Sequence, residues 1–355
     1  MRILVINLGS TSTRVAIYED EKCIYSEKFE HSVEELTKCA TLLDQEPLRK
    51  ECVLSAVSKA GFKLEDFDAI AARGGILPPV ESGTYLVDER MVDYLKYESP
   101  VKHVSNLACV IAHSISNGRI PVYTTDPVSV DEMVPEARFS GIPEIERKSL
   151  SHALNIKMVC RKVAKELGKP FEALNAVVAH LGGGISIAAV KGGKIIDVNN
   201  ANDEGPFSPE RTGELPVGDV VRLCFSVNHT REELKKKFVG KGGLVAYLGT
   251  NDLRKALEMA KENGYAALVV RAMAYQIAKE IGGMCAILKG EVDAIILTGG
   301  MSYSNEFVQM INEHIYRFAS VFVLPGEFEM EALALGALRV LRGEERVKIW
   351  GGPNG

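Results

Sequence analysis

The feature that most constrains this chain is an internal repeat. Ile3 to Tyr18 reads ILVINLGSTSTRVAIY and Val177 to Val190 reads VVAHLGGGISIAAV, so Asn7-Leu-Gly9 is matched 173 residues later by His180-Leu-Gly182. Each triplet interrupts two β-rich runs, and each pair of runs leads through a turn to a third strand. A second echo keeps the same order. Asp68-Ala-Ile-Ala-Ala-Arg-Gly74-Gly75 resembles Asp293-Ala-Ile-Ile-Leu-Thr-Gly299-Gly300, a buried strand ending in two glycines. A chain that satisfies both echoes contains two copies of one α/β unit.

Small residues at such turns let backbone N–H groups approach phosphate oxygens, and two such turns facing each other make a nucleotide cleft. Phosphate handling is therefore the first functional expectation. The chain's 355 residues exceed what one hydrophobic core usually serves, and a hydrophobic content of 46% suits a soluble two-domain enzyme. A net charge of -5, with 42 basic and 47 acidic residues well mixed, creates no broad positive field, so neither nucleic acid nor membrane is expected as a partner. The seven cysteines are scattered, with no Cys-x-x-Cys pair, and read as core thiols of a reducing cytosol. With no signal-peptide pattern and no apolar run near about 18 residues, the expected location is cytoplasmic.

Strands are expected near 2–8, 13–19 and 22–29, with Ser32-Val-Glu-Glu35 as a capping box opening the next helix. A buried strand follows at 67–72, then helices near 88–97 and 103–117, then a strand at 119–124 that delivers Asp126 just past its end. His152 to Leu167 has helical spacing and connects to the second unit, whose meander covers roughly 176–200. Helices are expected near 216–226, 231–239, 251–263 and 265–289, then a strand at 320–324 and a helix at 327–341 packing back onto the first unit. The expected domains are 1–153, joined by the C-terminal segment 327–355, and 154–326 with a helical insertion at about 214–264.

No Gly-x-x-x-x-Gly-Lys-Ser/Thr is present, nor the Gly-rich loop, HRD and DFG signatures of protein kinases, which leaves the duplicated turn as the phosphate cradle. Four segments in order carry a resemblance: Val5-Ile-Asn-Leu-Gly-Ser-Thr-Ser12, His180-Leu-Gly-Gly-Gly-Ile-Ser186, Gly205-Pro-Phe-Ser-Pro-Glu-Arg-Thr-Gly213 and Leu297-Thr-Gly-Gly-Met301. Together they resemble the acetokinase branch of the superfamily that includes acetate and sugar kinases, heat-shock ATPases and actin. The resemblance implies an α/β fold of two duplicated ribonuclease-H-like (actin-like ATPase) domains with a nucleotide cleft between them. It also implies Mg²⁺-dependent, reversible transfer of the ATP γ-phosphate to a short-chain fatty acid. Butyrate, giving butyryl phosphate and ADP, is favoured over acetate by Arg73-Gly-Gly, His180-Leu-Gly-Gly-Gly184 and the altered surroundings of His152.

A carboxylate acceptor is already ionised at neutral pH, so what opposes reaction is its repulsion from the triphosphate, and cations are the requirement. Arg73, beside Gly74-Gly75, and Arg211, in Ser208-Pro-Glu-Arg-Thr-Gly213, are the candidates, since their forked donors suit carboxylate and phosphoryl oxygens. Arg211 resembles a catalytic arginine of the family, and His152 resembles a histidine that bonds the transferring phosphoryl group, although the glycine and second histidine around it are missing. By the same resemblance Asp126 and Glu331 orient the metal, with Glu329 two residues away because Glu329-Met-Glu331-Ala has no unique register. Asn7, Gly9, Ser10, Ser12 and Arg14 are expected at the phosphates or metal-bound water. His180, Gly182, Gly183 and Gly184 face the phosphates from the second turn, and Gly299, Gly300 and Met301 carry adenosine.

Three alternatives stay open: a kinase for acetate, propionate or branched acids, a sugar or polyol kinase using Asp126 as a base, and a regulatory actin-like ATPase without an acyl acceptor. The stretch Tyr265 to Leu288 is apolar all round, with Arg271, Lys279 and Glu280 its only charges. Its burial is expected to involve a second copy of the chain, at least a homodimer.

Overall fold

The computed structural model describes residues 1–226 and 228–352; the last three residues of the expected 327–355 segment lie outside the described residues. Two compact units are present, one of Met1–Val130 with the segment from Phe328, the other of Asp131–Glu327. The segment 131–153, read from the sequence as part of the first domain, groups with the second unit. Val134 N–H bonds the Ile196 carbonyl at 2.9 Å, and the buried Lys157 ammonium reaches the Glu132 carboxylate at 2.5 Å.

The first unit carries the strands β1 (Arg2–Gly9), β2 (Ser12–Glu19), β3 (Lys22–Glu30), β4 (Ala69–Ala72), β5 (Thr84–Leu86) and β6 (Val122–Thr125). The second has β7 (Asn175–Leu181), β8 (Ile185–Lys191), β9 (Lys194–Val198), β10 (Ala294–Gly299) and β11 (Val321–Pro325), and β12 (Lys348–Ile349) returns to the first. The sheet orders are β12-β5-β6-β4-β1-β2-β3 and β11-β10-β7-β8-β9. Both contain one motif: an antiparallel three-strand meander whose first strand continues into two parallel strands. The repeat read from the sequence is thus a structural duplication of ribonuclease-H-like α/β units.

Ile3 to Ile6 are fully buried and continuously apolar because β1 is an interior strand of a mixed sheet, paired in parallel with β4 and covered by helices. Edge strand β3 instead alternates exposed and half-buried positions, and its Lys22, Glu27, Lys28 and Glu30 discourage pairing with another chain. Gly336, in the helix Glu329–Leu341, lets that helix lie directly on β6, since a Cβ there would sit 2.0 Å from Thr125 Oγ1. The helix Gly264–Ile287, capped by Asn263, departs from its expected all-round burial. Ala266, Val269, Val270, Met273, Ala274, Ile277 and Ile281 form a buried stripe, whereas Tyr265, Leu268 and Tyr275 on the other side are more than half exposed.

Candidate active site

In the first unit, the carboxyl ends of the parallel strands gather the predicted polar residues, as open α/β sheets do at ligand sites. Register does the placing. Ala72 lies opposite Ile6, so Arg73, whose N–H bonds the Ile6 carbonyl at 2.9 Å, comes level with Asn7 at the end of β1. Asn7 Nδ2 donates to Glu329 Oε2 at 2.7 Å, and Arg73 Nη1 donates to the same oxygen at 3.1 Å and to Asn7 Oδ1 at 3.4 Å. Glu329 opens the last long helix, where the helix dipole favours an anion. Glu331, two positions on, faces a different neighbour: its charge, after burial and Cys23, helps push the Tyr18 phenol upward. Of the two glutamates, Glu329 is the one that joins Asn7 and Arg73.

Asp126, just past β6, is buried and adopts the left-handed region at φ 40°, which aspartate tolerates better than most non-glycine residues. Gly83 holds it here on two sides, its N–H donating to Asp126 Oδ1 at 2.7 Å while its carbonyl accepts from Asp126 N at 3.0 Å. Gly74 is small because Pro127 and Thr124 occupy the space a Cβ would need, at 2.6 and 2.8 Å. Arg14 pairs with Asn7 across β1 and β2. Gly9 and Ser12 close a two-residue loop, Ser10-Thr11, whose tip is exposed.

The second unit gathers the other predicted group. His180 is the penultimate residue of β7, opposite Ser186 of β8, and its ring stacks on that of His152 with centroids 3.9 Å apart and planes 13° from parallel. His152 Nδ1 lies 2.9 Å from Ser186 Oγ, and Asn155 Nδ2 meets His180 Nδ1 at 2.9 Å. Since an amide nitrogen only donates, His180 Nδ1 accepts, the ring's remaining proton is on Nε2, and Nε2 faces the turn at Gly182. Asn155 follows His152 by three positions on one helix, a spacing that could have flagged it from sequence.

Gly182, Gly183 and Gly184 form the second turn, held by Gly182 N–H to the Gly184 carbonyl at 3.2 Å and by Ser208 Oγ to the Gly183 carbonyl at 2.6 Å. Arg211 lies against this turn: a Cβ on Gly184 would stand 1.9 Å from its Nη1. Nη1 donates to the Ala201 carbonyl at 2.7 Å, and among the described residues no carboxylate is within ion-pair distance of the guanidinium. Burial lowers its pKa, opposed by the charges of Glu210 and Asp203, and an arginine this basic stays cationic. The loop is clamped by a pair of glycines the sequence reading passed over: a Cβ on Gly243, at φ 57°, would collide with the Ser208 carbonyl.

Gly299 (φ 90°) turns the chain at the end of β10, and a side chain there would meet the Leu181 backbone at 2.4 Å. Gly300 has open space above it. Beside it lies a cavity of about 770 Å³ lined by Gly182, Gly183, Glu210, Asp252, Arg254, Gly300 and Tyr303, well within the size range of ligand sites. Glu210, Asp252, Arg254 and Tyr303 were not singled out from sequence. Among the described residues no three His, Cys, Asp or Glu side chains are grouped to hold a metal, so a cation site here would rest on one or two carboxylates with amide oxygen and water, as magnesium accepts.

The whole architecture matches solved kinases of small carboxylic acids. An acetate kinase from Porphyromonas gingivalis superposes with a TM-score of 0.80 at 19% identity, covering 96% of this chain and 99% of that one. A propionate kinase from Francisella tularensis does so with 0.75 at 19%, covering 94% and 98%. These likenesses define a kinase fold of duplicated α/β units. The acetokinase family model matches residues 144–327, and over 98% of both chains this sequence is 64% identical to a Thermotoga petrophila protein named probable butyrate kinase. A Thermotoga maritima protein named probable butyrate kinase 1 is 63% identical over 97% of each chain. The chain belongs to the acetokinase family and is a short-chain fatty acid kinase.

Proposed function

We propose that the chain transfers the γ-phosphoryl group of ATP to the carboxylate of butyrate, forming butyryl phosphate and ADP, and catalyses the reverse reaction. The observation that carries this reading is Arg211: a half-buried guanidinium lodged against a glycine turn, with no carboxylate within ion-pair distance among the described residues, so that its fork is available to a ligand anion. A carboxylate nucleophile needs no base, and Arg211 acts on the charge that develops in transfer. Arg73 supplies the second cation, and His180 offers Nε2–H toward the Gly182 turn, with His152 stacked behind it. The cavity beside Gly300 takes the adenosine.

Asn7, Asp126 and Glu329 are the oxygen donors that would hold magnesium, which when bound screens the triphosphate charge. Glu329 takes this role in preference to Glu331, because it alone of the two bonds Asn7. The seven free cysteines support a reducing, cytoplasmic setting. The exposed Tyr265, Leu268 and Tyr275 support a homodimer through the helix Gly264–Ile287, and sedimentation equilibrium yielding a single 38.7 kDa species would exclude it.

Incubation with ATP, Mg²⁺, hydroxylamine and a panel of C2 to C5 acids tests the activity. Acyl phosphate is trapped as hydroxamate, with butyrate expected to have the highest kcat/KM. Each buried methylene contributes roughly 0.8 kcal/mol, so neighbours one carbon away should follow within about fourfold. Phosphate release without hydroxamate would overturn the reading.

A further inference from the structure

Arg49 is fully buried in the helix Glu46–Lys59, yet no carboxylate is within ion-pair distance of it among the described residues. Its Nη1 donates to the carbonyls of Gly9 at 3.1 Å and Ser12 at 2.9 Å and to Thr13 Oγ1 at 3.3 Å. Nη2 donates to the Ser10 carbonyl at 3.0 Å, and Nε to Gln45 Oε1 at 3.1 Å. One guanidinium therefore gathers three carbonyls of the first turn. In a trans peptide, C=O and N–H point in opposite directions. With the Gly9 and Ser10 carbonyls drawn down to Arg49, the N–H groups of Ser10 and Thr11 point out of the exposed tip.

The turn also needs an external hold. Two-residue hairpin loops favour geometries with positive φ, and the other two such loops in the sheets have it: Gly192 at 57° with Gly193 at 75°, and Asp20 at 50°. Neither Ser10 nor Thr11 has a positive φ. This loop therefore lacks the intrinsic hairpin preference, and its shape is set from beneath.

We propose that Arg49 is the positioning residue of the first phosphate turn, holding the Ser10 and Thr11 N–H groups toward the nucleotide and adding a buried positive charge whose counter-ion is the ligand's phosphates. The proposal rests on the assignment of ATP as substrate. It concerns phosphate recognition alone, so binding of the nucleoside without phosphates should not depend on Arg49.

The test is calorimetric binding of ATP, ADP and adenosine to the full chain carrying Arg49→Met or Arg49→Lys. Loss of several charge-assisted bonds should weaken ATP by about 10- to 100-fold in Arg49→Met, with adenosine changed less than about twofold. Arg49→Lys, which keeps the charge without the fork, should fall between, and kcat at saturating ATP should fall less than KM rises. Equal weakening of ATP and adenosine, or unchanged ATP affinity in a folded variant, would overturn the proposal. Should both variants fail to fold, Gln45→Met, which releases only Nε, decides: a several-fold loss for ATP with none for adenosine supports it, and no change in that ratio sinks it. The wild-type titration is read first. A wild-type chain that binds adenosine but gains nothing from the phosphates removes the proposal together with the substrate assignment, whereas variant effects alone bear only on Arg49.

Discussion

Gly184→Ala is the most discriminating single change, because it adds one methyl group and moves one guanidinium. The new Cβ would stand 1.9 Å from Arg211 Nη1 and 2.4 Å from its Cζ, so the fork must retreat about 1.5 Å to reach ordinary contact near 3.4 Å. The retreat breaks the 2.7 Å bond to the Ala201 carbonyl. A charge-assisted bond of this kind contributes about 1.5–3 kcal/mol, and alanine recovers about 0.4–1 kcal/mol from the unfolded chain because φ at Gly184 is not positive. The net loss is about 1–2 kcal/mol, or roughly 2–8 °C in Tm, so the variant should fold. Catalysis should suffer far more. A misplacement of about 1 Å costs on the order of 100-fold, so kcat for acyl phosphate formation should fall about 100-fold while ATP affinity changes little. Adding Arg211→Ala to Gly184→Ala should cost little beyond Arg211→Ala alone, since both remove one interaction. A folded Gly184→Ala enzyme with kcat within about threefold of wild type would show that Arg211 does not act on the transferring group.

Three further outcomes are expected. Glu329→Ala should raise the Mg²⁺ concentration needed for half-maximal activity by about tenfold or more, whereas Glu331→Ala should leave it nearly unchanged; the reverse pattern refutes the assignment from the Asn7 bond. Gly299→Ala should cost at least about 3 kcal/mol in urea denaturation, because φ is 90° and the methyl group would press on the Leu181 backbone; a loss below about 1 kcal/mol refutes that packing argument. Burial, then the Arg49 charge, depresses the His31 pKa, with Glu35 and Glu30 opposing. The unfolded chain therefore binds a proton near pH 6.5 that the folded chain resists, and stability present above that pH is lost as pH falls through the folded value. His31→Gln should flatten the urea-denaturation profile below about pH 6.5, and an unaltered slope refutes the linkage.

The turns and strand ends on which the candidate site is built are legible in the sequence because their signals are local. Gly9, Gly182 and Gly299 announce turns at strand ends, and the strands at β1 and β4 show as two apolar runs that each stop at polar or small residues. The helices were less legible. The capping box at Ser32 opens only the short helix Val33–Thr37, and the longer helix that carries Arg49 came without an expectation of its own. The apolar stretch at Tyr265 has the composition of a helix buried on most sides, but its partners in the unit cover one stripe.

What the sequence determined by itself is the duplication, the order of strands and turns, and the chemical types that arrive at each strand end, since backbone preference and apolar spacing act over a few residues. Tertiary structure alone decided the partners. Glu329 and Glu331 differ by two positions, which on a helix turns the side chains to different faces, and the packing of that helix on the sheet, with Gly336 against Thr125, sets which one meets Asn7. Arg49 looks like any helical arginine until the helix packs beneath the Ser10-Thr11 loop. His152 and His180 stack only because the helix Ala153–Glu166 lies on β7. Each of these depends on contacts between residues far apart in the chain, and their geometry is set by the packing of whole elements, which no local pattern encodes.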